Sequence, residues 1–396
     1  MFLDCSDPAC DYDFFRTEVN FVSYVRDRRD AQVYVLVVAQ QTGAGGKEFR
    51  ASFLGQQEFR RADDSLRYTS GPAESRDQTR RGLAQLLKRG LVRYVNHTPL
   101  AERIQIAYLA PSPLQQRPAA ALRDPWKHWT FSTTVNGFFD GEQSTNAMNL
   151  SGSLTANRTT EAWKVVTSLQ NRYNQSRIDV GEETVTAIQR AYALNSLIVM
   201  SLSDRWSFGS RADLTSSNFL NQRRALRIGP AVEYNVFPYS ESARRQFTFQ
   251  YSMGATSFNY REETIFGKTS ESLVDQRLLM SLRLLQPWGS ATTSLEGSHY
   301  LEDPSKRRGI LSTSIDLSLS RGLSLVTFGG VELVRDQLYL PKQGASREEL
   351  LLRQRQLATS FRYYGSLGIG YTFGSRFANI VNPRFMGSSG GASTGQ

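Results

Sequence analysis

The second half of the chain is dominated by long runs in which apolar and polar residues alternate. The segment Ile310 to Leu333 reads "ILSTSIDLSLSRGLSLVTFGGVEL". One face of its first run carries Leu311, Thr313, Ile315, Leu317 and Leu319, and the other carries Ser312, Ser314, Asp316, Ser318 and Ser320. A period of two indicates a strand that is dry on one side, and Arg321-Gly322 is typical of a hairpin turn. The dry face must therefore contact either a protein core or lipid.

Alternating runs of this kind repeat from residue 127 to residue 373. We count twelve, at 127–139, 145–158, 161–176, 187–203, 205–217, 223–239, 245–261, 274–287, 289–301, 308–320, 322–338 and 355–373. Soluble strands are commonly about five to six residues long, whereas a tilted strand needs about nine to eleven residues to cross a bilayer. The run lengths therefore favour lipid over a sandwich core. The even number predicts an antiparallel, up-and-down transmembrane β-barrel of twelve strands over 126–375.

The connections between the runs alternate in length. "RTTE", "SDRW", "SESARR", "PWG" and "RG" are short, whereas "DVGEETVTA", "SNFLNQR", "YREETIFGKTSES", "EDPSKRR" and "YLPKQGASREELLLR" are longer and charged. Short turns at one end and long loops at the other are typical of outer-membrane barrels. Aromatic residues gather near the ends of the runs, as interfacial girdles would require. They are Trp126, Trp129, Phe139, Trp206, Phe237, Tyr239, Trp288, Tyr300, Tyr339 and Tyr371.

Composition excludes several other classes of protein. The 396 residues are 40% hydrophobic, and the mean hydropathy is -0.41. No run approaches the roughly 18 consecutive apolar residues that a spanning helix needs, so the chain is not a helical membrane protein. The formal charge of +10 is scattered along the chain without a nucleic-acid-binding motif, so we expect no nucleic-acid partner.

Residues 1–110 have a different pattern. Helical spacing occurs in Phe14–Arg28 and Glu74–Val95, and strand patterns occur in "MFLDC", "AQVYVLVVAQ", "KEFRASFLGQ" and "ERIQIAYL". The order β-α-β-β-α-β predicts an α+β domain, a sandwich with split βαβ topology. The segment 111–125 is rich in Pro and Ala and predicts a linker, and 376–396 predicts a tail with a disordered Gly/Ser-rich end.

Two short features of this first domain invite a functional interpretation. "TGAGGKE" is similar to a phosphate loop, but Gln41 stands where the first Walker glycine is needed and Glu48 replaces the Ser or Thr. We interpret it as a hairpin connection. Cys5 and Cys10 are the only cysteines, and an exported protein would permit a disulfide between them, whereas their surroundings lack the spacing of a metal site.

The start of the chain bears on export. "MFLDC" has no basic region, apolar region or cleavage site of a signal peptide, and it reads like the middle of a strand. Either the protein is cytoplasmic or the export signal is missing, and we expect a mature or truncated chain from which the signal is missing.

Charged residues within the runs fall on the face opposite the apolar residues. They are Lys164, Arg172, Arg211, Asp213, Arg227, Glu233, Arg283, Glu296, Asp316, Glu332 and Arg362. Their signs nearly balance, and buried charges are tolerated only when they are paired. We therefore expect a charge network in a narrow or filled lumen, since twelve strands enclose less space than the sixteen to eighteen of open porins.

Catalysis has few candidate residues. The chain contains three histidines, and only His299 lies within a strand with a serine, Ser298, beside it. Sequence neighbours on a strand point to opposite faces, so Ser298 cannot be the partner of His299. We assign no catalytic residue, metal or cofactor, and keep a lipid-active hydrolase using His299 as an alternative.

Several segments resemble a known family. "WTFSTTVNGFFDGEQSTNAMNLSGSLTANRTTEAWKVVTSLQNRYN" and "YYGSLGIGYTF" resemble the salt-induced outer-membrane protein family of Gram-negative bacteria. "CDYDFFRTEVNFVSYVRDR", "QTGAGGKEF" and "TPLAERI" resemble the periplasmic module that precedes such barrels, and "NIVNPRF" resembles the tail of that group. The resemblance implies an outer-membrane location and a periplasmic first domain. It transfers no site residue.

These observations predict a non-enzymatic envelope protein of the outer membrane. Its barrel would contact outer-membrane lipid and lipopolysaccharide, and its first domain would dock a periplasmic protein or substrate. A narrow channel for small solutes or ions is the main alternative.

Overall fold

The structure is a computed structural model of the whole chain. It describes residues 1–5, 7–105, 124–180, 183–286, 288–320, 323–342, 358–371 and 373. They form two compact units, one with two α-helices and a small sheet and one built from twelve long strands. The predicted linker, apart from Asp124 and Pro125, and the predicted C-terminal tail lie outside the described residues.

The first unit has a four-stranded mixed sheet. Its elements are β1 (Phe2–Cys5), α1 (Tyr12–Glu18), β2 (Val33–Gln41), β3 (Lys47–Gly55), β4 (Asp64–Ser70) and α2 (Arg76–Val95). The strand order is β1-β2-β3-β4, with β1 parallel to β2 and the other pairs antiparallel. Residues 42–46 join β2 to β3 as a hairpin, with Gly45 at a φ of 86°, as interpreted from the sequence.

The predicted split βαβ topology is wrong. A split unit places another strand between its two parallel strands, but β1 pairs directly with β2, and Phe2 lies opposite Tyr34. The reason is that β3 returns as a hairpin on the far side of β2 and is extended there by β4. β4 was not predicted because "DSLRYTS" offers only Leu66 and Tyr68 to the core.

Two other elements of this unit differ from the sequence prediction. α1 ends at Glu18, before the predicted Arg28, and the chain then turns back so that the Tyr24 hydroxyl donates to the Phe15 carbonyl at 2.9 Å. Most of the predicted strand "ERIQIAYL" lies outside the described residues. Its first two residues end a 3-10 helix, Pro99–Arg103, which the Thr98 side chain caps.

α2 covers one face of the small sheet. Its N-terminus has a capping box, in which Ser75 and Gln78 exchange hydrogen bonds of 3.2 and 2.8 Å. Four leucines on one stripe are buried, namely Leu83, Leu86, Leu87 and Leu91, and they belong to the same core cluster as Phe49 and Phe53 of β3. Gly90 lies against Phe53 so closely that a Cβ atom would stand 2.0 Å from the ring.

The second unit is one antiparallel sheet of twelve strands paired in sequence order. The strands are β5 (Trp129–Gly141), β6 (Thr145–Thr159), β7 (Trp163–Val180), β8 (Glu183–Ser201), β9 (Trp206–Ser217), β10 (Gln222–Asn235), β11 (Arg245–Tyr260), β12 (Ser270–Gln286), β13 (Gly289–Tyr300), β14 (Arg307–Ser320), β15 (Leu323–Val334) and β16 (Phe361–Tyr371). Each of the twelve predicted runs is confirmed as overlapping one of these strands, but the runs 223–239 and 322–338 are too long, since β10 ends at Asn235 and β15 ends at Val334. β7 and β8 have 18 and 19 residues, so most of the predicted loop "DVGEETVTA" is strand.

Every strand of this sheet turns large apolar side chains to one face. We call it the apolar face, and the other the charged face. One exposed member from each strand in order is Phe131, Leu154, Leu169, Ile198, Phe208, Ile228, Tyr251, Leu278, Leu295, Leu311, Val331 and Ile369. Residues directly opposite one another on antiparallel strands share a face, so the register makes this surface continuous across the sheet.

Substitution of Gly90 by Ala tests the packing of α2. Ala is favoured over Gly in a helix by about 1 kcal/mol, but overpacking against Phe53 costs about 1–3 kcal/mol, so we expect net destabilisation of the first unit. The measurement is the urea midpoint of the helical circular dichroism signal of the full chain in detergent. Gly71→Ala, where a Cβ atom would lie 3.6 Å from its nearest neighbour, is the control. A raised midpoint for Gly90→Ala would contradict this packing.

Candidate functional site

The charged face of the twelve-stranded sheet holds all eleven charged residues predicted to line a lumen. Arg227 illustrates the geometry, since it lies opposite Asp213 on β9 and Thr256 on β11. The same register relation places Lys164, Arg172, Arg211, Glu233, Arg283, Glu296 and Asp316 on this face. Glu332 and Arg362 join it through hydrogen bonds with each other and with Arg308.

A buried ion-pair cluster lies on this face across β10, β11 and β12. The Arg227 guanidinium donates to the Asp275 carboxylate from Nη2 at 2.7 Å and from Nε at 2.9 Å. Arg227 is only 8% exposed and Asp275 only 3%. Arg277 Nε and the Thr256 hydroxyl donate to the same carboxylate at 3.1 and 3.3 Å. The desolvated charges of Arg227 and Asp275 are therefore paired, as buried charges must be.

A second cluster lies across β14, β15 and β16. Arg308 donates to Glu332 at 2.8 Å and to Asp336 at 3.0 Å, and Arg362 donates to Glu332 at 2.5 Å. Among the described residues, Glu332 and Arg362 are the only two of the eleven predicted members that form an ion pair with each other. Three members of these clusters were not predicted, although each occupies a position of the charged face that strand alternation identifies: Asp275, Arg277 and Arg308.

A segment between β15 and β16 crosses the charged face. We call Arg335–Lys342 the interior strap. Its Leu338 is 5% exposed and packs with Ala225, Phe258 and Tyr260 on the charged face of β10 and β11. Asp336 of the strap accepts the Arg308 hydrogen bonds of the second cluster. The strap therefore joins an apolar contact on β10 and β11 to an ionic contact on β14.

The far end of the strap is fastened to the connection 261–269 between β11 and β12. Pro341 and Thr264 form an isolated β-bridge, and the Ile265 N–H donates to the Leu340 carbonyl at 2.8 Å. Lys342 Nζ donates to the Glu263 carboxylate at 2.9 Å. Burial raises the pKa of Tyr339 within the strap. The strap thus covers one end of the charged face, the end at which the connections 261–269 and 301–306 also lie.

Not all of the aromatic residues predicted as girdles lie on the apolar face. Trp206 and Tyr371 do, and they are 46% and 64% exposed. Tyr300 and Tyr339 instead pack around the Leu338 cluster, and the Tyr239 hydroxyl donates to Glu233 on the charged face at 2.8 Å. The prediction fails for these three because proximity to the end of a strand does not determine which face a side chain occupies.

A polar groove of about 410 Å³ lies on the charged face of β5 to β8. Asn136, Ser151, Ser153, Gln170 and Arg172 are among its lining residues. The strap contacts named above are with β10, β11 and β14, so they lie on other strands than this groove.

His299 lies on the apolar face, and no nucleophile contacts it in the ranges that the structure describes. Its Nε2 atom is 2.6 Å from Gln276 Nε2, and its Nδ1 atom is 3.1 Å from the Tyr300 carbonyl oxygen. Ser298 occupies the charged face, opposite Arg277. Within the described contacts, the geometry gives no support to a hydrolytic site at His299.

The first unit has a smaller site beside the β2–β3 hairpin. Cys5 and Cys10 form a disulfide, with Cα atoms 6.2 Å apart. A cleft of about 360 Å³ lies between residues 7–9 and the β2–β3 hairpin. Its lining includes Glu74, Arg76 and the ion pair between Lys47 and Asp7, whose charged atoms are 2.7 Å apart. In the part of the chain that the structure describes, no group of His, Cys, Asp and Glu residues is arranged to hold a metal ion.

Comparison with known proteins yields only remote likenesses. No family model matches this chain, so none supports the resemblance to the salt-induced outer-membrane protein family, and no curated protein matches either. Among the described residues, no helix is long and apolar enough to span a membrane.

Two solved structures are similar to part of the chain. One is the NanC porin in its rhombohedral crystal form, with 8% identity, a TM-score of 0.30, and coverage of 61% of this chain and 99% of the porin. The other is the translocator domain of the autotransporter NalP from Neisseria meningitidis, with 12% identity, a TM-score of 0.20, and coverage of 62% and 80%. Both scores are too low to establish a common fold, so the conclusions below depend on the residues of this chain.

Substitution of Asp275 by Asn tests the first ion-pair cluster. It removes the charge that compensates buried Arg227, so we expect a loss of about 3 kcal/mol in the free energy of unfolding. Glu263→Gln, which breaks the exposed pair with Lys342, is the control and should cost less than about 1 kcal/mol. Urea titration of the folded protein in detergent micelles measures both. Equal losses for the two variants would contradict the assigned burial.

Proposed function

We propose that this chain is an outer-membrane β-barrel protein. The observation that carries the proposal is the apolar face, which exposes a large apolar side chain on each of twelve consecutive strands while the charged face lies behind it. Soluble monomers rarely expose an apolar surface of this extent, whereas a protein surface in contact with the hydrocarbon core of a bilayer has to be apolar. Strands of 11 to 19 residues are long enough to cross that core at a tilt.

Closure of the sheet is part of this proposal. β5 and β16 are the two ends of the strand order, and their residues are exposed along almost the whole of both strands. Each therefore presents a row of backbone N–H and C=O groups, and the hydrocarbon core of a bilayer contains no water to hydrogen-bond with them. Since the number of strands is even, β5 and β16 run antiparallel, and their pairing satisfies both rows.

The orientation follows from the connections. The chain enters β5 at the end where 160–162, 202–205 and 321–322 connect strands, and the strap lies at the opposite end. In outer-membrane barrels the shorter turns face the periplasm. We therefore assign the strap to the external end and the first unit to the periplasm, where a disulfide such as Cys5–Cys10 is chemically stable.

The proposed role is that of a filled envelope barrel with a periplasmic docking unit. The strap and both ion-pair clusters occupy the charged face on β10 to β16, which supports a narrow lumen over an open pore. The cleft beside Lys47 and Asp7 is the proposed place where the first unit receives a polar segment of a periplasmic partner. The groove on β5 to β8 favours the second candidate, a narrow channel for small solutes or ions.

Barrel formation is tested by expressing the chain with a signal sequence and isolating outer membranes. We expect the protein in that fraction, with a lower apparent mass on a gel when unboiled than when boiled, because a closed barrel resists unfolding by detergent. Recovery as a soluble protein without a heat-dependent shift would contradict the proposal.

Release of the strap distinguishes the filled barrel from the channel. Leu338→Ser places a polar atom in the apolar contact with Phe258 and Tyr260, so we expect a higher single-channel conductance than that of the wild type. Leu301→Ser, at the same end of the sheet but 43% exposed, is the control. If the wild type already conducts and Leu338→Ser leaves its conductance unchanged, the strap does not occlude the lumen.

A further inference from the structure

The apolar face ends in a row of polar and basic side chains on β12 to β15. His299 lies opposite Gln276 on one side and Arg307 on the other. Arg335 is the first residue of the strap and is still paired with β14, since its N–H donates to the Arg307 carbonyl at 2.9 Å. Leu333 lies beside Gly309 on the apolar face, and alternation from Leu333 places Arg335 next in the row, before the strap crosses to the charged face. We call Gln276, His299, Arg307 and Arg335 the basic row. It stands at the strap end of the sheet, directly beyond the leucines of the apolar face.

A gap in the apolar face lies beside this row. Gly297 and Gly309 face each other across β13 and β14, between the leucine pair Leu295–Leu311 and the His299–Arg307 pair. A Cβ atom at Gly297 would meet nothing within 4 Å, and one at Gly309 would meet only Leu333 at 3.9 Å. We call this gap the glycine notch. Glycine inside a strand is typical of a position where another molecule approaches the backbone closely.

Among the described residues, the two arginines of the basic row have no carboxylate as an ion-pair partner. Both Arg307 and Arg335 are exposed. The neighbouring carboxylate of Glu302 instead accepts the Val274 N–H at 2.8 Å. Guanidinium groups at the border of an apolar surface bind planar or tetrahedral oxyanions by charge-assisted hydrogen bonds.

We propose that the basic row and the glycine notch together bind a phosphorylated membrane lipid. The phosphate accepts hydrogen bonds from Arg307 and Arg335, and the first part of an acyl chain lies in the notch against Leu295 and Leu311. His299 borders the site, with its ring held by Gln276 and the Tyr300 carbonyl. The site rests on the proposed function, because the notch faces lipid only if the sheet spans a bilayer. The ligand class follows from the two features together. A free anion would not fill the apolar notch, and a neutral lipid would not pair with the arginines, whereas a phosphorylated lipid does both.

The first test removes the two arginine charges. Binding of diphosphoryl lipid A to the purified full chain in detergent micelles is compared between the wild type and the double variant Arg307→Gln, Arg335→Gln. We expect affinity at least about tenfold weaker, since hydrogen bonds to charged groups are lost. The control is Arg261→Gln with Lys268→Gln, which removes the same charge from the 261–269 connection. Equal affinity of the arginine variant and the wild type would overturn the site.

The second test fills the notch and leaves the charges in place. Gly297→Leu introduces a side chain into open space, so the sheet should fold, and we expect lipid A binding to weaken by about tenfold while the heat-dependent gel shift persists. Gly152→Leu, on the apolar face of β6, where a Cβ atom would lie 3.9 Å from its neighbour, is the control. Unchanged lipid binding by Gly297→Leu would contradict the role of the notch.

Three further outcomes distinguish a lipid phosphate from free phosphate, and failure of the lipid site from failure of the proposed barrel. Inorganic phosphate that competes as strongly as lipid A would show a site for a free anion and overturn the lipid assignment. Wild-type protein that shows the gel shift but binds lipid A no better than its dephosphorylated form would refute the site alone. Absence of the gel shift in the wild type would refute the proposed barrel and, with it, this site.

Discussion

Hydrogen bonding between neighbouring backbones is the constraint on which the twelve-stranded unit depends. Once each strand is paired on both sides, side chains have only two directions available, and a shift of one residue would exchange the faces of a whole strand. Leu278, Leu295 and Leu311 therefore reach one surface only if Asp275, Arg283 and Glu296 reach the other. β5 and β16 are the two ends of the strand order, so each has a neighbouring strand on one side, and the environment of these two strands determines how their remaining backbone groups are satisfied.

The charged face then has to be made stable without a conventional core. Arg227 and Asp275 are almost completely removed from water, and their pairing offsets part of that desolvation. The interior strap adds an apolar contact to these ion pairs, because Leu338 packs on Phe258 and Tyr260 and excludes water from them. Apolar and ionic contacts thus alternate across the interior. The contrast with β5 to β8, whose charged face keeps an amide- and hydroxyl-rich groove, divides the sheet into a filled and an open part.

Strand positions and faces were predictable because alternation is a local property, and residues such as Leu311 and Asp316 carry their assignment in their own sequence. The interior strap was not predictable, since Leu338 and Leu340 show no period and their contacts depend on strands up to about a hundred residues away. Alternation assigns Asp275 to the charged face, but its pairing with Arg227, two strands away, depends on the register between strands, which is not a local property. In the first unit, local pattern identified β2 and α2, but β4 carries too few apolar residues, and the order of strands depends on pairing choices that no single strand encodes.

The interior strap also acts as a mechanical tie. It leaves β15 at Val334 and is fastened again at the β11–β12 connection through Pro341 and Lys342, so it links strands that are not neighbours in the sheet. Any movement that separated β15 from β11 would have to break these contacts as well as the hydrogen bonds between the strands. The strap contacts described above reach β10, β11 and β14, so they place no comparable restraint on β5 to β8.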